Sequence, residues 1–145
     1  MNSVVYLLDA NVLSRLSAGQ RGNSLVREHC RIPTEVLHEI EGFPDFRQLR
    51  ALELPVSVEQ LECVRQVMKS VAPGDFKLVD LYRSKGNADP ILVAAALIGI
   101  RQSSETLFSE DWKVVSDDDA VRAKAADHGV EWLSTEDFVL LLPAS

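Results

Sequence analysis

Val4-Val5-Tyr6-Leu7-Leu8-Asp9-Ala10-Asn11-Val12 is the stretch that decides the fold. Five apolar residues in a row predict a strand buried on both faces, as in a parallel sheet covered by helices. A carboxylate follows at once, and a helix-like segment begins near Val12. In an open parallel α/β sheet, ligands sit beyond the carboxyl ends of the strands, so Asp9 stands where chemistry can be done. Asp and Asn are also common helix caps, and on this stretch alone a capping role for Asp9 or Asn11 is as good a reading.

Downstream, strands and helices alternate. Thr34–Glu41 predicts a short helix with Val36, Leu37 and Ile40 on its apolar face, broken by Phe43-Pro44-Asp45. Leu54–Val56 reads as a short strand. Ser57-Val58-Glu59-Gln60 has the form of a capping box and opens a helix to about Ser70, followed by Pro73-Gly74 and a second helical piece, Phe76–Tyr82. Arg83-Ser84-Lys85-Gly86-Asn87 is a loop by composition. Asn87 can cap a helix over Ala88–Ile100, which is apolar nearly all round and therefore expected to be buried. After a polar connection, Arg101 to Asp111, come a strand at Trp112–Val115, a helix at Ala120–His128 closed by Gly129, and a strand at Val130–Leu133. A helix at Thr135–Leu142, capped by Ser134 and stopped by Pro143, ends the chain. This alternation predicts an α/β fold with a mainly parallel sheet and helices on both faces.

Composition narrows the function classes. The 145 residues suit one domain, 1–145, with a sizeable core. The longest apolar run, Ile91 to Ile100, is far shorter than the ~20 residues of a membrane span. No basic region precedes the first apolar stretch, so no signal peptide is expected and the cytoplasm is the default compartment. Cys30 and Cys63 have no motif spacing and read as reduced thiols. The net charge of −7 argues against bulk attraction to nucleic acid. It is unevenly spread: residues 1–31 carry Arg15, Arg21, Arg27 and Arg31 against Asp9 and Glu28, whereas acids crowd residues 105–137.

Four carboxylates stand out. Asp9 and Asp118 each follow a predicted strand, Asp89 opens the buried helix, and Glu39 lies beside the apolar stripe of its own helix. Acids next to buried surface are costly unless paired or bound to a cation, and a cluster of them repels. A hard divalent ion such as Mg²⁺ or Mn²⁺ removes that conflict, because it prefers oxygen ligands. Taken one at a time, each acid also has an ordinary explanation as a cap, a helix-dipole partner or a solvated charge.

Leu7-Leu8-Asp9-Ala10-Asn11-Val12-Leu13 resembles the opening motif of PIN-domain nucleases. Pro33-Thr34-Glu35-Val36-Leu37-His38-Glu39-Ile40 resembles their second motif, with the acid at Glu39. Asn87-Ala88-Asp89-Pro90-Ile91-Leu92-Val93-Ala94-Ala95-Ala96 is similar to the third, with the acid at Asp89. Val114-Val115-Ser116-Asp117-Asp118 resembles the fourth. The resemblance spans nearly the whole chain in motif order. It implies a three-layer α/β/α sandwich, Mg²⁺ or Mn²⁺ held by Asp9, Glu39, Asp89 and Asp118, and hydrolysis of RNA phosphodiester bonds. Asn11, Ser116 and Asp117 match polar positions that support the acids. Many bacterial members are toxins of the VapC type, which pair as homodimers and are held by a small antitoxin protein.

Ser109-Glu110-Asp111 repeats the Ser-x-Asp pattern, so Asp111 is the alternative fourth acid, and Asp117 can share the role. Arg15, Arg83 and Lys85 are candidates for touching RNA phosphates. His29, His38 and His128 lack ligand spacing, Trp112 and Trp132 read as core, and Ser134-Thr135-Glu136-Asp137 reads as a cap. A PIN-like module that binds RNA or protein without cutting, and a structural domain whose acids are only caps, are the rival readings.

Overall fold

The computed structural model describes residues 3–55, 62, 88–104 and 110–143, with backbone alone at 88–91 and 101–104. The expected helices at Ser57–Ser70 and Phe76–Tyr82, the loop 83–87, Cys63, Arg83 and Lys85 lie outside the described residues.

The first strand, β1 (Ser3–Leu8), is central. It pairs in parallel with β2 (Cys30–Pro33) on one side and with β4 (Glu110–Val115) on the other. β3 (Glu53–Leu54) extends the sheet beyond β2, and β5 (Glu131–Leu133) extends it beyond β4, also in parallel. The order is β3-β2-β1-β4-β5. Its position explains the apolar run: Val5 to Leu8 are buried, with Leu7 and Leu8 wholly so. The fold is α/β, three layers around an all-parallel sheet, as the alternation of elements predicts.

Between β1 and β2 the chain makes three short helices, each begun by a side chain that accepts a backbone N–H. Asp9 caps α1 (Ala10–Arg15), Ser17 caps α2 (Ala18–Arg21) in a capping box with Gln20, and Asn23 caps α3 (Ser24–His29). α4 (Thr34–Glu39) and α5 (Phe46–Leu49) follow, with a 3₁₀ turn at Arg50–Leu52. α6 (Ala88–Ser104) packs mainly against β4 and also touches β1, β2 and α4. Its residues Leu92 to Ala96 are all buried, as expected for a helix apolar on every side. At Gly99 it runs so close to β4 that an added Cβ would collide with the Trp112 indole. α7 (Asp119–Asp127) ends at Gly129, whose φ of 73° closes it in the left-handed region. α8 (Thr135–Leu141) is capped by Ser134 and presses Phe138 edge-on against Tyr6, ring centres 5.4 Å apart.

Several boundaries differ from the sequence expectation. β2 carries an arginine and a proline and gives little strand signal, yet Cys30 and Arg31 pair with Tyr6 and Leu7. β4 begins at Glu110 rather than Trp112, because its backbone pairs with β1 along all six residues regardless of the acids at its start. α4 stops at Glu39 because Ile40 has left helical geometry just before Gly42. α6 continues through Arg101 to Ser104, where the polar residues include good helix formers. Trp132 is not core: it is 39% exposed on the edge strand β5, with the Arg122 guanidinium 4.7 Å above its ring. Trp112 is half-buried against the core. No helix among the described residues is long and apolar enough to cross a membrane.

Candidate functional site

The strand order reverses between β1 and β4. The chain fills one side of the sheet with β2 and β3, then returns to the other side of β1. Such a reversal leaves a crevice outside the carboxyl ends of the two strands, the usual ligand position in an open parallel sheet. Asp9 leaves β1 at that end, and Ser116-Asp117-Asp118 leave β4 beside it; the Asp9 N–H reaches the Val115 carbonyl at 3.4 Å.

Asp9 is 3% exposed. Its Oδ1 accepts the Asn11 N–H at 2.7 Å, and its Oδ2 accepts the Ser116 hydroxyl at 2.9 Å. Burial pushes the Asp9 carboxyl above its ordinary pKa. The Ser116 bond and the backbone N–H groups of Asn11 and Val12 oppose that rise, and the charge of Asp118 adds to it. Asn11 itself is exposed and supports Asp9 through its backbone, which any non-proline residue could supply. Ser116 supports through its side chain. Its Oγ donates to Asp9 and accepts the Asp118 N–H at 3.1 Å, so one hydroxyl fastens the end of β4 to the end of β1.

Asp118 and Asp117 diverge from there. Asp118 turns back to start α7, its Oδ1 accepting the N–H groups of Ala120 at 2.8 Å and Val121 at 3.1 Å. Asp117 accepts the Thr135 N–H at 2.8 Å and the Thr135 hydroxyl at 2.6 Å, and pairs with Arg15. Burial pushes Asp117 up, but the Thr135 bonds and Arg15 outweigh it and hold its carboxyl below the ordinary range. Three consecutive residues thus tie β1, α7 and α8 together. Thr135 was legible only as part of a cap. Its tie to Asp117 spans 18 residues of sequence and leaves no local signal.

The other candidates fall into three groups. Asp111 lies in β4 opposite Val4, at the far end of the strand from Val115 and about 13 Å from it by strand rise. It is therefore separated from Asp9, and the Ser116-Asp117-Asp118 alternative is the one that reaches it. Glu39 is the last residue of α4 and is exposed, on a helix packed against both α1 and α6. Asp89 stands in the first turn of α6, and its side chain lies outside the described residues. Arg15 is 60% exposed and engaged by Asp117. Among the histidines, the His29 ring meets the Val4 carbonyl and His38 meets Glu41. Burial pushes the Cys30 thiol up to about 12, which makes it an inert core thiol.

Among the described residues, the ends of β1 and β4 bring together two carboxylates and a hydroxyl, oxygen donors of the kind a hard cation prefers. Asp9 and Asp118 meet through Ser116. Among the described residues, however, no three His, Cys, Asp or Glu side chains gather closely enough to hold a metal by themselves. No protein-family model matches the chain, and no curated protein sequence matches it.

Proposed function

We propose that this chain is a metal-dependent endoribonuclease of the PIN-domain type, acting as the toxin of a toxin–antitoxin pair. The observation that carries this reading is Asp9: a carboxylate buried at the strand-order reversal and raised in pKa. Its hydroxyl link leads to a second acid. A helix cap needs no such burial, since a cap at the surface accepts the same N–H without desolvation. A carboxyl group kept where ionisation is disfavoured fits a role that a cation would complete.

Asp9 and Asp118 would hold Mg²⁺ or Mn²⁺ together with Glu39 and Asp89, while Ser116 orients Asp9. The ion would activate water and stabilise charge on a phosphodiester. The homodimer, the antitoxin partner and cytoplasmic action belong to the same proposal and rest on the motif resemblance.

The cap bonds of Asp9 and Asp118 favour a second reading, in which both acids serve only to start α1 and α7. Cleavage of total RNA in Mg²⁺ and in Mn²⁺ by the wild type and by Asp89→Asn separates them. On the nuclease reading the wild type cuts and the variant folds but does not. A variant that cuts at the wild-type rate removes Asp89 from the metal set, and a wild type that fails to cut in either metal supports the capping reading.

A further inference from the structure

A separate cavity of about 680 Å³ lies among α2, α3, β2 and the α5–3₁₀ segment. That volume is within the usual range for small-molecule sites. Three arginines line it, Arg21, Arg27 and Arg31, with no carboxylate among the described lining residues. They are not equivalent. Arg21 is locked to Asp45 by two hydrogen bonds of 2.8 and 2.9 Å. Arg27 and Arg31 pair with no acid among the described residues, although the chain carries a net charge of −7. Arg31 is held in place by one N–H donated to the Cys30 carbonyl at 2.8 Å, which leaves the rest of its fork unused there.

Two guanidinium groups facing one cavity repel each other, and a cleft of single-sign charge concentrates the opposite ion. Arginine's planar fork matches phosphate oxygens in pairs. The rest of the wall is different in kind: exposed Ala51 adds apolar surface between the buried Leu49 and Leu52, and exposed Gln48 adds an amide that can both donate and accept. Phosphate alone would leave that wall without a partner. A phosphate joined to a flat, hydrogen-bonding ring system would use both halves.

We infer that this cavity binds a nucleoside phosphate, with Arg27 and Arg31 on the phosphate and the base against the exposed Ala51 and Gln48 part of the lining. None of these residues belongs to the Asp9 cluster, and the inference stands independently of the nuclease proposal.

Titration calorimetry in metal-free buffer tests it, with 5′-AMP, adenosine and inorganic phosphate as probes. AMP is expected to bind at least about tenfold more tightly than either half, and Arg27→Gln combined with Arg31→Gln to weaken AMP by at least about tenfold. A 5′-phosphorylated RNA dinucleotide, run alongside, tells a free nucleotide from an RNA end. Backbone amide NMR on the unsubstituted protein gives a reading that needs no variant. AMP should shift Arg27, Arg31, Gln48 and Leu49. Absence of AMP binding, unchanged affinity in the double variant, or shifts confined to Asp9 and Ser116 would each overturn the inference.

Discussion

Asp45 and Asp9 both precede a helix and both sit under cover, yet their surroundings differ. Asp45 faces Arg21 in a two-bond fork. The same guanidinium donates to the Leu13 and Leu16 carbonyls at 3.1 and 2.7 Å and lies 4.7 Å from the Phe43 ring centre. The Arg21 bond holds the Asp45 carboxyl below its ordinary pKa. Among the described residues Asp9 has only neutral donors and a second acid nearby, and burial drives its carboxyl upward. One region is an ion pair whose charges are answered within the chain. The other holds a carboxyl group that no cation faces among the described residues. Folding accounts for the first arrangement, and the second is the one that the nuclease proposal puts to use.

The satisfied end of the comparison should break hardest. Asp45→Ala strands a guanidinium that is 10% exposed, and a loss of about 2–3 kcal/mol is expected by denaturant unfolding. The pH dependence has opposite signs in the two regions. Asp45 is depressed, so its stabilising effect is present above the unfolded-state pKa and is lost as pH falls through the folded one. Asp9 is raised, so its contribution is greatest at acid pH and declines as pH rises through the folded value. Unfolding curves across pH should therefore have a shallower acid-side slope in Asp45→Ala, with Asp117 supplying what remains, and keep the full slope in Asp9→Asn.

Ser116→Ala is the next largest effect. It removes the donor to Asp9 Oδ2 and the acceptor of the Asp118 N–H in one step, both at a buried position. A loss of about 1–3 kcal/mol is expected by thermal unfolding, and the Asp9 pKa should rise further. Unchanged stability would mean that the hydroxyl does not join the two strand ends.

How far the site was legible follows from which of these links are local. Asp9 was legible because the apolar run ahead of it fixes a central strand and the acid is the next residue. Ser116 and Asp118 were legible as a strand end followed by a cap. Asp111 looked equivalent by pattern, and only its pairing with Val4 sends it to the wrong end of β4. β2 was missed because Arg31 and Pro33 hide a strand whose stability comes from its neighbour rather than from its own residues. Trp132 misled because tryptophan usually signals burial, whereas on an edge strand it finds Arg122 instead. The Arg21–Asp45 fork joins residues 24 apart, and nothing in either local segment announces it.

Arg15→Ala should have the smallest effect. Its pair with Asp117 is largely exposed on the arginine side, so a change of about 0.5 kcal/mol or less is expected, falling further with added salt. A large loss would show that Asp117, like Asp45, depends on a cation within the fold. The comparison would then need redrawing with Asp9 alone on its other side.

The most direct test measures stability and RNA cleavage on one preparation of Asp9→Asn. The substitution keeps the shape and the oxygen that accepts the Asn11 N–H, replaces the Oδ2 that accepts the Ser116 hydroxyl by an amide that can only donate, and removes the buried charge. A carboxylate retained for function rather than for folding predicts that cleavage in Mg²⁺ or Mn²⁺ is lost while stability at neutral pH is not lowered, because relief of the buried charge offsets the lost Ser116 bond. A variant that is about 1 kcal/mol less stable, as on loss of an ordinary cap, and that cuts RNA at the wild-type rate would contradict it.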